Sequence, residues 1–76
     1  MKIDKAMKVI YKAYGYNDDT TKVVLAVERA VIREIEKNYM SKEEVKEMFN
    51  EMPFIAGHYI TDLFEDWKQE QLNKLK

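Results

Sequence analysis

Residues 40–53 read Met-Ser-Lys-Glu-Glu-Val-Lys-Glu-Met-Phe-Asn-Glu-Met-Pro, and this stretch decides the fold class. Ser41-Lys42-Glu43-Glu44 is a capping box: the Ser41 hydroxyl can accept from the Glu44 N–H, and the Glu44 carboxylate can reach back to the Ser41 N–H. Met40 and Val45 occupy the positions of a hydrophobic staple around that cap. Val45, Met48, Phe49 and Met52 then recur on one face, which predicts a short helix with a buried side. Asn50 is a candidate C-cap. Pro53 biases Met52 toward extended backbone, so the helix is expected to stop before it.

Working upstream, the pattern stays helical. A second helix is predicted over about Thr21 to Asn38, with Val24, Val27, Val31 and Ile35 as its main stripe. Leu25 and Ile32 widen the stripe on one side, Val23 and Ala30 on the other. An arc that wide suits a central helix with neighbours on two sides. Glu28 projects within the arc, and a partly exposed position is expected because an unpaired buried carboxylate is costly. Before it, Tyr16 to Thr21 forms a loop in which Asp18, Asp19 or Thr20 can cap the helix start. Ile3, Met7, Ile10 and Tyr14 mark a first helix, and Gly15 is expected to end it with a positive φ.

Downstream, a fourth helix is predicted to begin between Pro53 and His58. Ala56, Ile60, Leu63, Phe64 and Trp67 lie within one stripe. The next position on that stripe is Gln71, so the final turns are expected to run past the core. Lys74 and Lys76 complement the C-terminal end of the helix dipole. The fold class is therefore all-α: a small four-helix single domain over residues 1–76, with a helix-turn-helix-like segment between Ser41 and Leu63.

Composition sets the limits on function. The chain has 76 residues, 13 Lys and Arg against 14 Asp and Glu, a net charge of −1, one His and no Cys. One domain is the ceiling at this length. Lacking Cys, it has no disulfide framework, thiolate metal site or cysteine nucleophile. Its longest uncharged run, Met52 to Thr61, contains Pro53, Gly57 and His58 and falls short of the ~20 apolar residues of a membrane span. The first residues lack the apolar stretch of a signal peptide, so a cytoplasmic location is expected. Lysine greatly outnumbers arginine, and Ile, Asn and Tyr are frequent, a composition consistent with AT-rich coding in a low-GC bacterium or its phage.

Catalytic and metal chemistry find little purchase. Ser41 is the only Ser and is assigned to a cap. His58 is the only His, so no Ser-His or Cys-His arrangement is available. Gly15 and Gly57 cannot make a glycine-rich phosphate loop. Asn17, Asp19, Thr21, Val23, Leu25 and Glu28 have the spacing of an EF-hand loop, but Lys22 stands where that loop needs Gly, and the apolar helical pattern has begun by Val23. An N-cap explains the Asn/Asp/Thr cluster better. His58 with Asp62 is at most a two-ligand fragment. No enzyme activity, metal or cofactor is expected.

The helix-turn-helix spacing invites a DNA-binding reading. The exposed face of the last helix opposes it, offering His58, Thr61, Asp62, Glu65 and Asp66, no Arg, and no Lys before Lys68. Those carboxylates would repel phosphates. Tyr59-xxx-Leu63-xxx-Trp67, followed by Lys68, resembles the C-terminal YxxxIxxxW helix of the DnaD-type bacterial and phage replication modules. The resemblance covers about nine residues and implies an all-helical fold with DNA-remodelling and replication-initiation roles. After Trp67 the chain departs from that pattern, with Gln69-Glu70-Gln71-Leu72 in place of the glycine-containing exit.

The expected function is therefore non-enzymatic protein binding: a small adaptor or inhibitor, encoded by a phage or mobile element, acting on a nucleic-acid-handling host protein. The alternative is a DnaD-like or helix-turn-helix-like accessory module that contacts DNA. The candidate face is His58, Asp62, Glu65, Asp66 and Gln69, which complements a partner with a basic surface. Tyr16, Phe54 and Ile55 lie off the clear stripes, and as exposed apolar groups they form a second candidate contact.

Overall fold

The computed structural model describes residues 2–16, 19–55 and 58–75, with only the backbone of residues 58–61. Four helices follow in order: α1 Lys2–Tyr14, α2 Thr20–Lys37, α3 Lys42–Glu51 and α4 His58–Lys74. Each described boundary has a local cause. Asp19 caps α2, its Oδ1 accepting from the N–H of Thr21 at 2.9 Å and of Lys22 at 3.3 Å. That side chain satisfies donors a helix start otherwise leaves orphaned. Thr21 to Glu28 are therefore helical, so from Thr21 onward the EF-hand spacing lies on a helix, not in a loop; Asn17 lies outside the described residues.

Both halves of the capping box form. The Glu44 N–H donates to Ser41 Oγ at 3.2 Å, and the Ser41 N–H donates to Glu44 Oε1 at 2.9 Å. Met40 and Val45 are both buried, as a staple requires. α3 runs through Asn50, and its C-cap is Met52, not Asn50 as expected. Met52 has φ −69° and ψ 132°, the extended backbone that a following proline imposes.

The C-terminal ends correct one expectation. Gly15 follows α1 and donates back to the carbonyls of Tyr11 and Lys12, at 3.3 and 3.2 Å. It does not take the left-handed conformation, and a Cβ there would meet only the Lys12 carbonyl oxygen, at 3.7 Å. The left-handed residue is Tyr39, with φ 50°. It closes α2 in a Schellman arrangement: the Met40 N–H donates to the Ile35 carbonyl at 3.1 Å and the Tyr39 N–H to the Glu36 carbonyl at 3.4 Å. Met40 is buried and Ile35 packs against the core, which supplies the apolar contact such a cap favours.

α1 packs on α2 and α3, and α4 packs on the same two helices, so the four close around one core. The radius of gyration is 11.7 Å, matching the ~11 Å expected of a compact chain this long. Among the described residues, Ile10, Val27, Val31, Val45, Met48 and Phe64 are the largest fully enclosed side chains. Ala6 and Ala30 are also buried. Such small side chains allow two helices to approach closely.

α4 is rotated from its predicted stripe. Phe64 and Leu72 are buried, Leu75 packs against the core, and Leu63 is half-exposed. The inward row is Phe64, Lys68, Leu72 and Leu75, so the last turns belong to the core instead of running past it. A lysine inside that row hid it from a purely apolar pattern. Its side chain is only 12% exposed and lies over the rings of Phe49 and Phe64, with Nζ 5.9 and 5.2 Å from their centroids. The methylene stem covers apolar surface while the ammonium finds ring faces and a carboxylate. Ala56, and the side chains of His58, Tyr59 and Ile60, lie outside the described residues.

α2 is also turned slightly, toward Val23 and Ala30. Glu34 joins that buried side at 4% exposure, whereas Glu28 is only partly covered. Glu34 Oε1 accepts from Asn38 Nδ2 at 3.3 Å, and the same nitrogen donates to the Glu34 carbonyl at 2.8 Å.

Candidate partner-binding groove

The predicted acidic face does not behave as one surface. Asp62, Asp66 and Gln69 are exposed. Glu65 is only half-exposed and pairs with Lys68 at 2.8 Å. That pair sits on the α3 side of α4, in a depression shared with Lys46 and Gln69. Asp66 belongs to the other side, where α4 faces α2. The His58 side chain lies outside the described residues.

The apolar trio also divides. Ile55 is buried at 7% exposure and contributes to the core, so it is not the exposed contact that its position off the stripes suggested. Its neighbour Phe54 is exposed. The two adjacent side chains therefore face different ways, one into the core and one outward. The segment is tied down by the Tyr14 O–H, which donates to the Pro53 carbonyl at 2.7 Å. Burial first, then the charges of Glu65 and Tyr11, push the Tyr14 phenol up beyond its ordinary range, so it stays a donor. Tyr16 is exposed too, but it lines a different depression, between α1 and α2.

What the structure does assemble is a groove between α2 and α4, about 410 Å³ in volume. Its floor and walls are Val24, Leu25, Leu63, Phe64 and Trp67. Leu25 and Leu63 remain half-exposed. Beneath them Phe64 stacks on Trp67 with centroids 5.9 Å apart and planes 9° from parallel, and Trp67 meets Phe49 at 6.4 Å. This stack fixes the floor, since both rings come from one helix and one is fully buried.

Three carboxylates rim the groove: Glu28 from α2, and Asp66 and Glu70 one turn apart on α4. Among the described residues no Lys or Arg lines it. Burial pushes the Glu28 carboxyl above its ordinary value, the mark of a carboxylate beside apolar surface with no cation to hold it charged. Of the acidic face named from sequence, only Asp66 contributes. Glu28 was visible as an odd charge in the apolar arc. Glu70 and the exposed leucines were not identifiable, because only the rotation of α4 shows which side of that helix meets α2.

Among the described residues, no three His, Asp or Glu side chains come together as a metal site, and no helix is long and apolar enough to cross a membrane. No family model matches the chain, and neither a curated protein nor a solved structure matches it.

Proposed function

We propose that the protein is a non-enzymatic binding module that takes a basic amphipathic segment of another protein into the α2–α4 groove. The observation that carries this reading is the pairing of an apolar floor with a rim whose charged groups, among the described residues, are all carboxylates. An amphipathic helix laid into such a groove places its apolar residues against Leu25, Leu63 and Trp67. Its Lys or Arg residues would meet Asp66, Glu70 and Glu28, with complementary charge acting mainly on encounter and register. Half-exposed leucines at the lip of a stacked aromatic floor are the kind of surface a partner covers.

The test uses an amphipathic Leu/Lys helical peptide and its Leu/Glu counterpart. Trp67 is the only tryptophan, so its emission reports occupancy of the groove directly. The Leu/Lys peptide is expected to shift Trp67 emission to the blue and to bind less well as salt rises; the Leu/Glu peptide should do neither. Reversing Asp66→Lys and Glu70→Lys together should weaken the Leu/Lys peptide at least tenfold, about 1.4 kcal/mol. Both positions are exposed, so the fold should change in stability by no more than ~0.5 kcal/mol. Equal response to both peptides, or undiminished binding by the folded double variant, would refute the groove as the contact.

A further inference from the structure

The net charge of −1 hides a strong polarity along the chain. Residues 1–33 carry seven Lys and Arg against four Asp and Glu, while residues 34–76 carry six against ten. Folding sharpens this. Beside the acidic groove, and sharing Leu25 with it, α1 and α2 form a second depression of about 600 Å³. Lys12 of α1 and Lys22, Arg29 and Arg33 of α2 line it, with no carboxylate among its described lining residues. All four cations are exposed, and among the described residues none of them is held in an ion pair.

The geometry follows from helical spacing. Lys22, Arg29 and Arg33 fall at i, i+7 and i+11, a straight row ~16 Å long at 1.5 Å per residue. Between that row and α1 the floor is Ala13, Ala26 and Ala30, side chains short enough to let a backbone approach. Tyr16, 67% exposed, stands at the same depression. A line of unpaired cations supplies phosphate contacts, and two guanidinium forks one turn apart suit phosphate oxygens better than point charges do. An exposed aromatic beside them supplies a platform for a base.

We infer that the α1–α2 groove binds single-stranded nucleic acid, its phosphates on Lys12, Lys22, Arg29 and Arg33 and a base on Tyr16. This surface meets the α2–α4 groove only at Leu25, which lines both, and none of its four cations lines that groove. None of the described carboxylates that argue against DNA contact by α4 lines this depression. Single strands fit better than duplex because Tyr16 can stack only on an unpaired base. An acidic protein segment would use the cations but leave the tyrosine without a role.

The experiment is a fluorescence-anisotropy titration of a labelled mixed-sequence single-stranded DNA with the full chain. Four neutralised phosphates predict a salt slope of about −2.8, or roughly fiftyfold weaker binding between 50 and 200 mM salt. Arg29→Gln with Arg33→Gln should cut the slope to about −1.4, so the same rise in salt weakens binding only about sevenfold. Tyr16→Ala should weaken binding roughly tenfold and leave the slope alone, because stacking releases no counterions. Lys42→Gln with Lys46→Gln, on α3, should change neither.

No binding at 50 mM salt would overturn the inference. So would equal losses from the α3 double variant, which would indicate diffuse attraction. Polyglutamate or phosphatidylserine vesicles binding as tightly as the strand would reassign the groove to an acidic peptide or a membrane surface. Tighter binding of the duplex with Tyr16→Ala inert would overturn the single-strand assignment. Sedimentation showing a dimer that Arg29→Gln with Arg33→Gln dissociates would place a second copy there instead. Circular dichroism of each variant supplies the fold control.

Discussion

The two flanks of α2 differ in how their walls are made and in which charge they gather. Toward α1, Ile10, Val23, Val27 and Ala30 pack without large rings, and the groove above them carries cations. Toward α4, the contact is built from Phe64, Trp67 and half-exposed leucines, and the rim is acidic. One helix therefore separates two surfaces of opposite sign. The lesson is that a near-zero net charge says little about recognition in a small domain, because charges of each sign can be sorted by helix face.

The largest effect expected from testing this contrast is on the α4 flank. Phe64 is 1% exposed and holds the aromatic floor. Phe64→Ala should cost ~3–5 kcal/mol, by lost transfer energy and an unfilled cavity. A domain of this size is stable by only about 4–11 kcal/mol, so the urea midpoint should fall steeply. Retained stability would mean that α4 is a dispensable flap and that the two flanks are not comparable.

Next comes a change that touches neither groove wall. Ser41→Ala removes an acceptor at the start of α3 and should cost ~1 kcal/mol, several degrees in Tm. Both binding responses should survive in the folded variant. Loss of either would mean that α3 contributes to recognition.

A smaller change of opposite sign is expected at the end of the shared helix. Tyr39 holds φ 50° with an 88% exposed side chain. Left-handed backbone costs a residue with a Cβ ~1–2 kcal/mol, while glycine loses ~0.5–1 kcal/mol more in ordering. Tyr39→Gly should therefore stabilise the protein by ~0.5–1 kcal/mol in a thermal melt. A loss of stability would show that the Tyr39 ring makes contacts that outweigh its backbone strain.

The smallest effect separates two glutamates by pH. Burial holds Glu28 above its ordinary value of 4.5, so just above that pH the native chain binds more protons than the unfolded one. Stability then falls as pH rises from 4.5 through the folded value. Glu28→Gln should remove that decline and leave the variant more stable at neutral pH. Glu44 works the other way. Its hydrogen bond from the Ser41 N–H holds it below 4.5, so its stabilisation is present above 4.5 and lost as pH falls through the folded value. The difference between wild-type and Glu28→Gln melts at each pH should isolate the Glu28 contribution, because the Glu44 loss at the acid end is common to both. Identical profiles for wild type and Glu28→Gln would mean that Glu28 is solvated.

Local chemistry was legible in the chain. Ser41 and Glu44 specify a cap through atoms three residues apart, Asp19 caps α2 the same way, and Pro53 dictates the backbone of Met52. These interactions need no distant partner, so the order of four helices and several of their ends could be read closely, although the start of α4 was bounded only between Pro53 and His58 and the C-cap of α3 is Met52 instead of Asn50. The apolar rows of α1 and α3 were legible too, because burial there follows hydrophobicity; on α2 the central stripe held, but Leu25 and Ile32 stay exposed while Glu34 is buried. Tertiary structure decided the rest. It turned α4 so that Lys68 joined Phe64, Leu72 and Leu75 inside, where ring faces and Glu65 accommodate an ammonium that a hydrophobic pattern places outside. It buried Glu34 and left Glu28 at a groove rim. It set Lys12 beside Lys22, Arg29 and Arg33, and Asp66 and Glu70 opposite Glu28. Side-chain periodicity states which residues share a helix face; which faces meet depends on packing between helices, and no single helix encodes that.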